Sequence, residues 1–225
     1  MSSKDLEEHK KKLEVQRRVF AQARAFIQRG KRAGIPDKYL RIKKEEFSKL
    51  LDPTFHKNSD EFSKEIYNTP QILFKKPFIV IDGGDIYSRK KAGFAILFRM
   101  IACDYYGAYY DCSSLAGQFQ VIKFGKDENR NDLVKKIKDE QIIFINEFNP
   151  KNFSVHLDSG TSFDQILEHR DDYSKPTIVT FALPLAKGMS NRNNAIKDDR
   201  CGNYFAMLSH VDLQENENVF RIKLK

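Results

Sequence analysis

Residues 78–91, FIVIDGGDIYSRKK, join a short apolar run to two glycines and then to three consecutive cations. A strand entering a glycine turn and a basic helix start is suited to anions, because turn amides cradle phosphate and a lysine reaches its outer oxygens. In the phosphate-loop pattern G-x-x-x-x-G-K-[ST], the last hydroxyl also holds magnesium. Laid on the pattern from Gly83, the sequence puts Ser88, Arg89 and Lys90 at the last three positions; from Gly84 it puts Arg89, Lys90 and Lys91 there. Neither register supplies the hydroxyl. An ammonium in its place repels a divalent cation while still attracting an anion. Phosphate binding at Gly83, Gly84, Ser88, Arg89, Lys90 and Lys91 is therefore an expectation that hydrolysis does not share.

The elements that would position this turn alternate along the chain. Strand candidates are FIVID (78–82), GAYYD (107–111), IIFIN (142–146) and TIVTFAL (177–183), with helices expected from about Lys90 to Tyr105, from Ser113 or Ser114, and near Ser162–Arg170. Strands that are apolar throughout and alternate with helices indicate an α/β domain with a parallel sheet covered on both faces. VFRIKLK, at 219–225, alternates and reads as an edge strand. Earlier, a charged helical stretch near Lys43–Leu51 is followed by a loop-like DPTFHKNSD and a helix in DEFSKEIYN.

From Ser3 to about Gln28 the chain lacks Pro and Gly, and Leu6, Leu13, Phe20 and Ile27 recur at every seventh residue, widened by Val19, Ala23 and Phe26. This is an amphipathic helix, ended by Gly30 and the Gly34-Ile35-Pro36 step. The opposite stripe, with Lys10, Arg17 and Arg24, is basic and occupies the second core position of the heptad, so docking on another protein or on its own domain fits better than a free-standing coiled coil. Residues 1–50 hold 15 Lys or Arg against 7 Asp or Glu, whereas the rest of the chain carries 24 of each. All of the +8 net charge thus sits in the first fifth of the chain. Such an arm favours nucleic-acid phosphates or an acidic protein surface.

The three cysteines (Cys103, Cys112, Cys201) and five histidines show no ligand spacing, so neither a disulfide frame nor a metal site is expected. No apolar run approaches the roughly 20 residues of a membrane span, and the amino terminus is charged rather than signal-like. A cytoplasmic location is expected.

The order of IPDKYL, IVIDGG…RKKAGFAI, QIIFINEF (141–148) and KPTIVTFALPL (175–185) resembles that in bacterial and phage replicative-helicase loaders of the DnaC/DnaI type, which are AAA+ ATPases. HRDDYSKPTIVTFALPL carries most of the likeness, which covers roughly Ile35 to Leu213. It implies an AAA+/RecA-like sheet over 34–225, preceded by a helical arm over 1–33. It further implies a Walker B pair at Asn146 and Glu147, sensor 1 at Ala182, and an arginine pair at Arg200 and Tyr204. The first acid, the sensor asparagine and the second arginine of the family pattern are then replaced. Since phosphoryl transfer is chiefly metal-assisted positioning, and an arginine finger alone is worth about 10³–10⁵ in rate, a non-hydrolysing member without cofactor is expected. The implied partners are a replicative helicase or a loader, and single-stranded DNA through Lys10, Arg17, Arg24, Tyr109 and Tyr110, with self-association also open. The alternatives are an active loader using ATP, magnesium and Glu147, and a structural or inhibitory protein that binds a host replication protein without DNA. A phage source accords with divergent motifs.

Overall fold

A computed structural model describes residues 3–56, 59–76, 78–124, 129–148, 163–181 and 219–225. Helix α1 (Ser3–Arg32) is longer than its heptad pattern. Its end is a Schellman turn: Gly34 sits at φ +84°, Ile35 N donates to Gly30 O and Gly34 N to Lys31 O, and Pro36 follows. Gly30, expected as a stop, lies inside the helix. A side chain there would collide with Leu40 and crowd Phe98, so glycine marks a close approach to the domain rather than a break.

After short helices α2 (Lys44–Ser48) and α3 (Ser59–Asn68), the chain alternates: β1 (Phe78–Gly83), α4 (Ile86–Ala102), β2 (Gly107–Asp111), α5 (Cys112–Phe124), α6 (Asn129–Asp139), β3 (Ile142–Phe148), α7 (Phe163–Asp172), β4 (Thr177–Phe181) and β5 (Val219–Leu224). The strands form one sheet in the order β2-β3-β4-β1-β5, all neighbours parallel. Strand alternation divides the core between its faces. Ile79, Ile81, Phe144 and Ile178 meet α4 and the segment before β1; Phe78, Val80, Ile143, Ile145 and Val179 meet Leu115, Phe119, Ile137 and Ile166 of the helices opposite. None of the described helices is long and apolar enough to cross a membrane.

Both sheet edges are covered. Tyr109 N on β2 donates to Ala33 O, and β5 is clamped by residues 50–56 through Asp52 N to Lys223 O and Lys225 N to Leu50 O. His56 stacks on Phe62 and accepts Lys223 N through Nε2 at 3.0 Å. Burial pushes its imidazole below the ordinary value, against the opposing charge of Asp52. The neutral ring is the one the fold needs, so the unfolded chain takes up the proton first, near pH 6.5. Stability is expected to be full above that pH and to fall as pH drops through it toward the folded value. His56→Gln should flatten that part of a urea-denaturation profile against pH.

Candidate functional site

In an open parallel sheet, ligands bind beyond the carboxyl ends of the strands where the order reverses. Here that place lies beside β1, whose neighbours β4 and β5 come later in the chain. Gly83 (φ +75°) and Gly84 (φ +58°) form the turn, and α4 begins two residues later at Ile86. The helix thus starts four residues before the expected Lys90. In the register from Gly83, positions four to six of the phosphate-loop pattern are already helical. The cause is Asp85, which caps α4 by accepting Ser88 N at 2.6 Å. That bond, then the Ser88 side chain, holds the Asp85 carboxyl below its ordinary range. The helix amino terminus faces an anion of its own chain.

The three cations are also engaged. Arg89, 4% exposed, folds back so that Nη1 donates to Gly84 O at 2.7 Å and Gly83 O at 3.2 Å. Burial lowers its pKa, against the charges of Asp82, Asp85 and Glu147. Lys90 lies 5.6 Å from the ring centre of Tyr109; burial would lower it, but the Tyr109 hydroxyl and Asp111 hold it above its ordinary value. Lys91 pairs with Glu46 at 2.7 Å. On the other side of the turn lies β5. A Cβ at Gly83 would collide with the Leu224 carbonyl, and one at Gly84 would lie 3.1 Å from Leu224 Cβ and 3.2 Å from Lys225 O. Asp82, just before the turn, pairs with Arg221 of β5.

At the end of β3, Asn146 is buried and its Oδ1 accepts Thr180 Oγ1 at 3.0 Å. Asp111 is its register neighbour on β2. Burial pushes the Asp111 carboxyl up, but Ser113, Ser114, Asn146 and Lys90 together bring it below the ordinary value. Asn146 and Glu147 stand against one residue of β4, a bulge that restores Phe148 to the face of Ile143 and Ile145. Glu147 pays for that shift with φ +55°, while its N–H donates to Thr180 Oγ1 at 2.9 Å. For a non-glycine residue this conformation costs about 1–2 kcal/mol. Glu147→Gly is therefore expected to leave stability unchanged or raise it by up to about 1 kcal/mol, and Glu147→Val to lower it by roughly 1–2 kcal/mol, read by urea denaturation.

Among the remaining candidates, Lys10, Arg17 and Arg24 are exposed on α1. Tyr109 packs in a ring cluster with Phe94 (4.6 Å) and Phe144 (5.4 Å). Tyr110 has an enclosed hydroxyl, and burial pushes it up to about 12. Ala182, Arg200 and Tyr204 lie outside the described residues. One polar residue that sequence reasoning missed is Arg170, fully buried at the end of α7. It donates to Thr177 Oγ1, Ile137 O, Glu140 O and Pro176 O, tying α6, α7 and the start of β4 together. Burial pushes it down to about 9. Its only signal was membership of the stretch HRDDYSKPT.

No family model matches the sequence, and no curated protein does either. Among solved structures, a crystal structure of DnaI aligns with TM-score 0.53 and 14% identity, over 84% of this chain and 94% of that one. The chain has the DnaI fold. Its five described strands, all parallel, and their flanking helices make it an α/β protein, as the ordered segments implied. The DnaI likeness is one of fold, and the turn, bulge and buried arginine described above are properties of this chain.

Proposed function

We propose that this chain is a non-hydrolysing, helicase-loader-like adaptor that contacts a replicative helicase or its loader. The observation that carries the reading is the closed Gly83–Gly84 turn. The residues present do not fit a magnesium triphosphate: Asp85 already serves the α4 amino terminus, Arg89 donates to the turn's own carbonyls, and Leu224 and Lys225 lie against the two glycines. Asn146 brings no charge to the position where the family pattern has its first acid. Phosphoryl transfer needs that metal and a cradled phosphate, so a chain without them keeps the fold as a binding scaffold. The likeness to DnaI supports the kind of partner, and the basic arm offers an electrostatic handle for an acidic protein surface or single-stranded DNA.

The test is size-exclusion chromatography of the purified chain with a purified replicative helicase and, separately, with its loader. Comigration with either, equal with and without ATP, is expected. Comigration with neither, or only when ATP is hydrolysed, overturns the reading.

A further inference from the structure

We propose that the groove between α1 and α4 docks an acidic amphipathic helix of a protein partner. This deepens the adaptor reading and rests on it for a protein rather than a small molecule as occupant. The groove, about 490 Å³, is lined by Phe20, Phe26, Ile27, Leu40 and Phe98, with two exposed cations, Arg24 and Arg41, in its walls. Among the described residues, α1 is fastened to the domain near its end. Ile27 and Gly30 pack on the domain, while the preceding turns leave Leu13, Val19 and Phe20 between 41% and 68% exposed. From Leu13 to Ile27 the helix rises about 21 Å, the footprint of four turns of a partner helix. An apolar stripe of that extent on a charged helix marks an interaction surface.

Charge selects the occupant. Arg17 and Arg24 follow Leu13 and Phe20 by four residues, about 40° round the helix, so they border the stripe rather than oppose it. A helix laid on the stripe meets these cations along one flank and Arg41 in the groove. Glutamates on its flanks would pair with them, as charged positions beside a coiled-coil seam do. A second copy of α1 would bring its own arginines to the same flank and be repelled. Single-stranded DNA stacks its bases on open ring faces; of the groove's rings Phe26 and Phe98 are half-buried and Phe20 is exposed, while Leu13 and Val19 further along carry no ring.

Two labelled peptides test this on the full chain by fluorescence anisotropy. Both carry leucines at i, i+3, i+4 and i+7; one has glutamates at the flanking positions, the other lysines. Saturable binding of the glutamate peptide is expected, weakened about tenfold by Phe20→Ser, whose side chain is too exposed to matter for folding. The double variant Arg24→Glu, Arg41→Glu should transfer the preference to the lysine peptide. Absence of binding, equal binding of the two peptides, or indifference to Phe20→Ser overturns the proposal. So does a dimer, seen by sedimentation, that Phe20→Ser dissolves, or displacement of the glutamate peptide by an oligothymidylate. Helicase comigration without peptide binding sinks the groove alone; peptide binding without comigration sinks the helicase-adaptor reading alone.

Discussion

Arg170→Met is expected to destabilise the chain by about 3–5 kcal/mol and to lower Tm by roughly 10 °C. The guanidinium serves four acceptors, Thr177 Oγ1, Ile137 O, Glu140 O and Pro176 O, at 2.7–3.0 Å. Exchange of a buried charge for an apolar side chain is often harmless when its partner leaves with it. Here three of the acceptors are backbone carbonyls, which stay behind, and each unsatisfied buried group costs about 1–3 kcal/mol. Arg170→Lys should fare little better, because a single ammonium cannot span that fork of acceptors. Differential scanning calorimetry of both variants checks this. A loss below about 1 kcal/mol for Arg170→Met would mean that α6 and α7 are held by their apolar contacts alone.

Gly83→Ala is expected to cost at least about 3 kcal/mol. A left-handed residue with a Cβ loses about 1–2 kcal/mol, and the atom would also collide with the Leu224 carbonyl, a backbone group that cannot rotate away. Strand β5 pairs with β1 from Phe78↔Val219 to Gly83↔Leu224, so relief of the collision means breaking that ladder at its end. Gly117→Ala in α5 is the control. Nothing lies within 4 Å of its added Cβ, and a helical glycine-to-alanine change should gain about 0.5–1 kcal/mol. Were Gly83 a phosphate-cradling glycine in an open loop, alanine would weaken nucleotide binding and spare the fold. Urea denaturation of the two variants separates these outcomes.

The sheet was legible in the sequence because buried parallel strands are apolar runs: FIVID, GAYYD, IIFIN and VFRIKLK lie within a residue or two of β1, β2, β3 and β5. The start of α4 was not. Arg89, Lys90 and Lys91 resemble the basic helix start after a phosphate loop, and the pattern outweighed the simpler signal of Asp85 as a cap. Helix α6 was missed because lysines separate its few apolar residues, Leu133, Val134 and Ile137, whose i, i+1, i+4 spacing is nonetheless helical. Arg170 ends a polar helix and reads as a surface residue until the carbonyls that converge on it are known. The bulge at Glu147 was hidden for a different reason: IIFINEF keeps a strand composition throughout, and only the return of Phe148 to the face of Ile143 betrays the extra residue.

Calorimetric titration of the full chain with ATP, with and without magnesium, bears most directly on whether the turn after β1 is closed by the chain itself. No heat beyond dilution, and an unchanged Tm at millimolar ATP, is the expected result. Saturable magnesium-dependent binding, which at a hundredfold excess over Kd would add about 2.7 kcal/mol of stability, would contradict it.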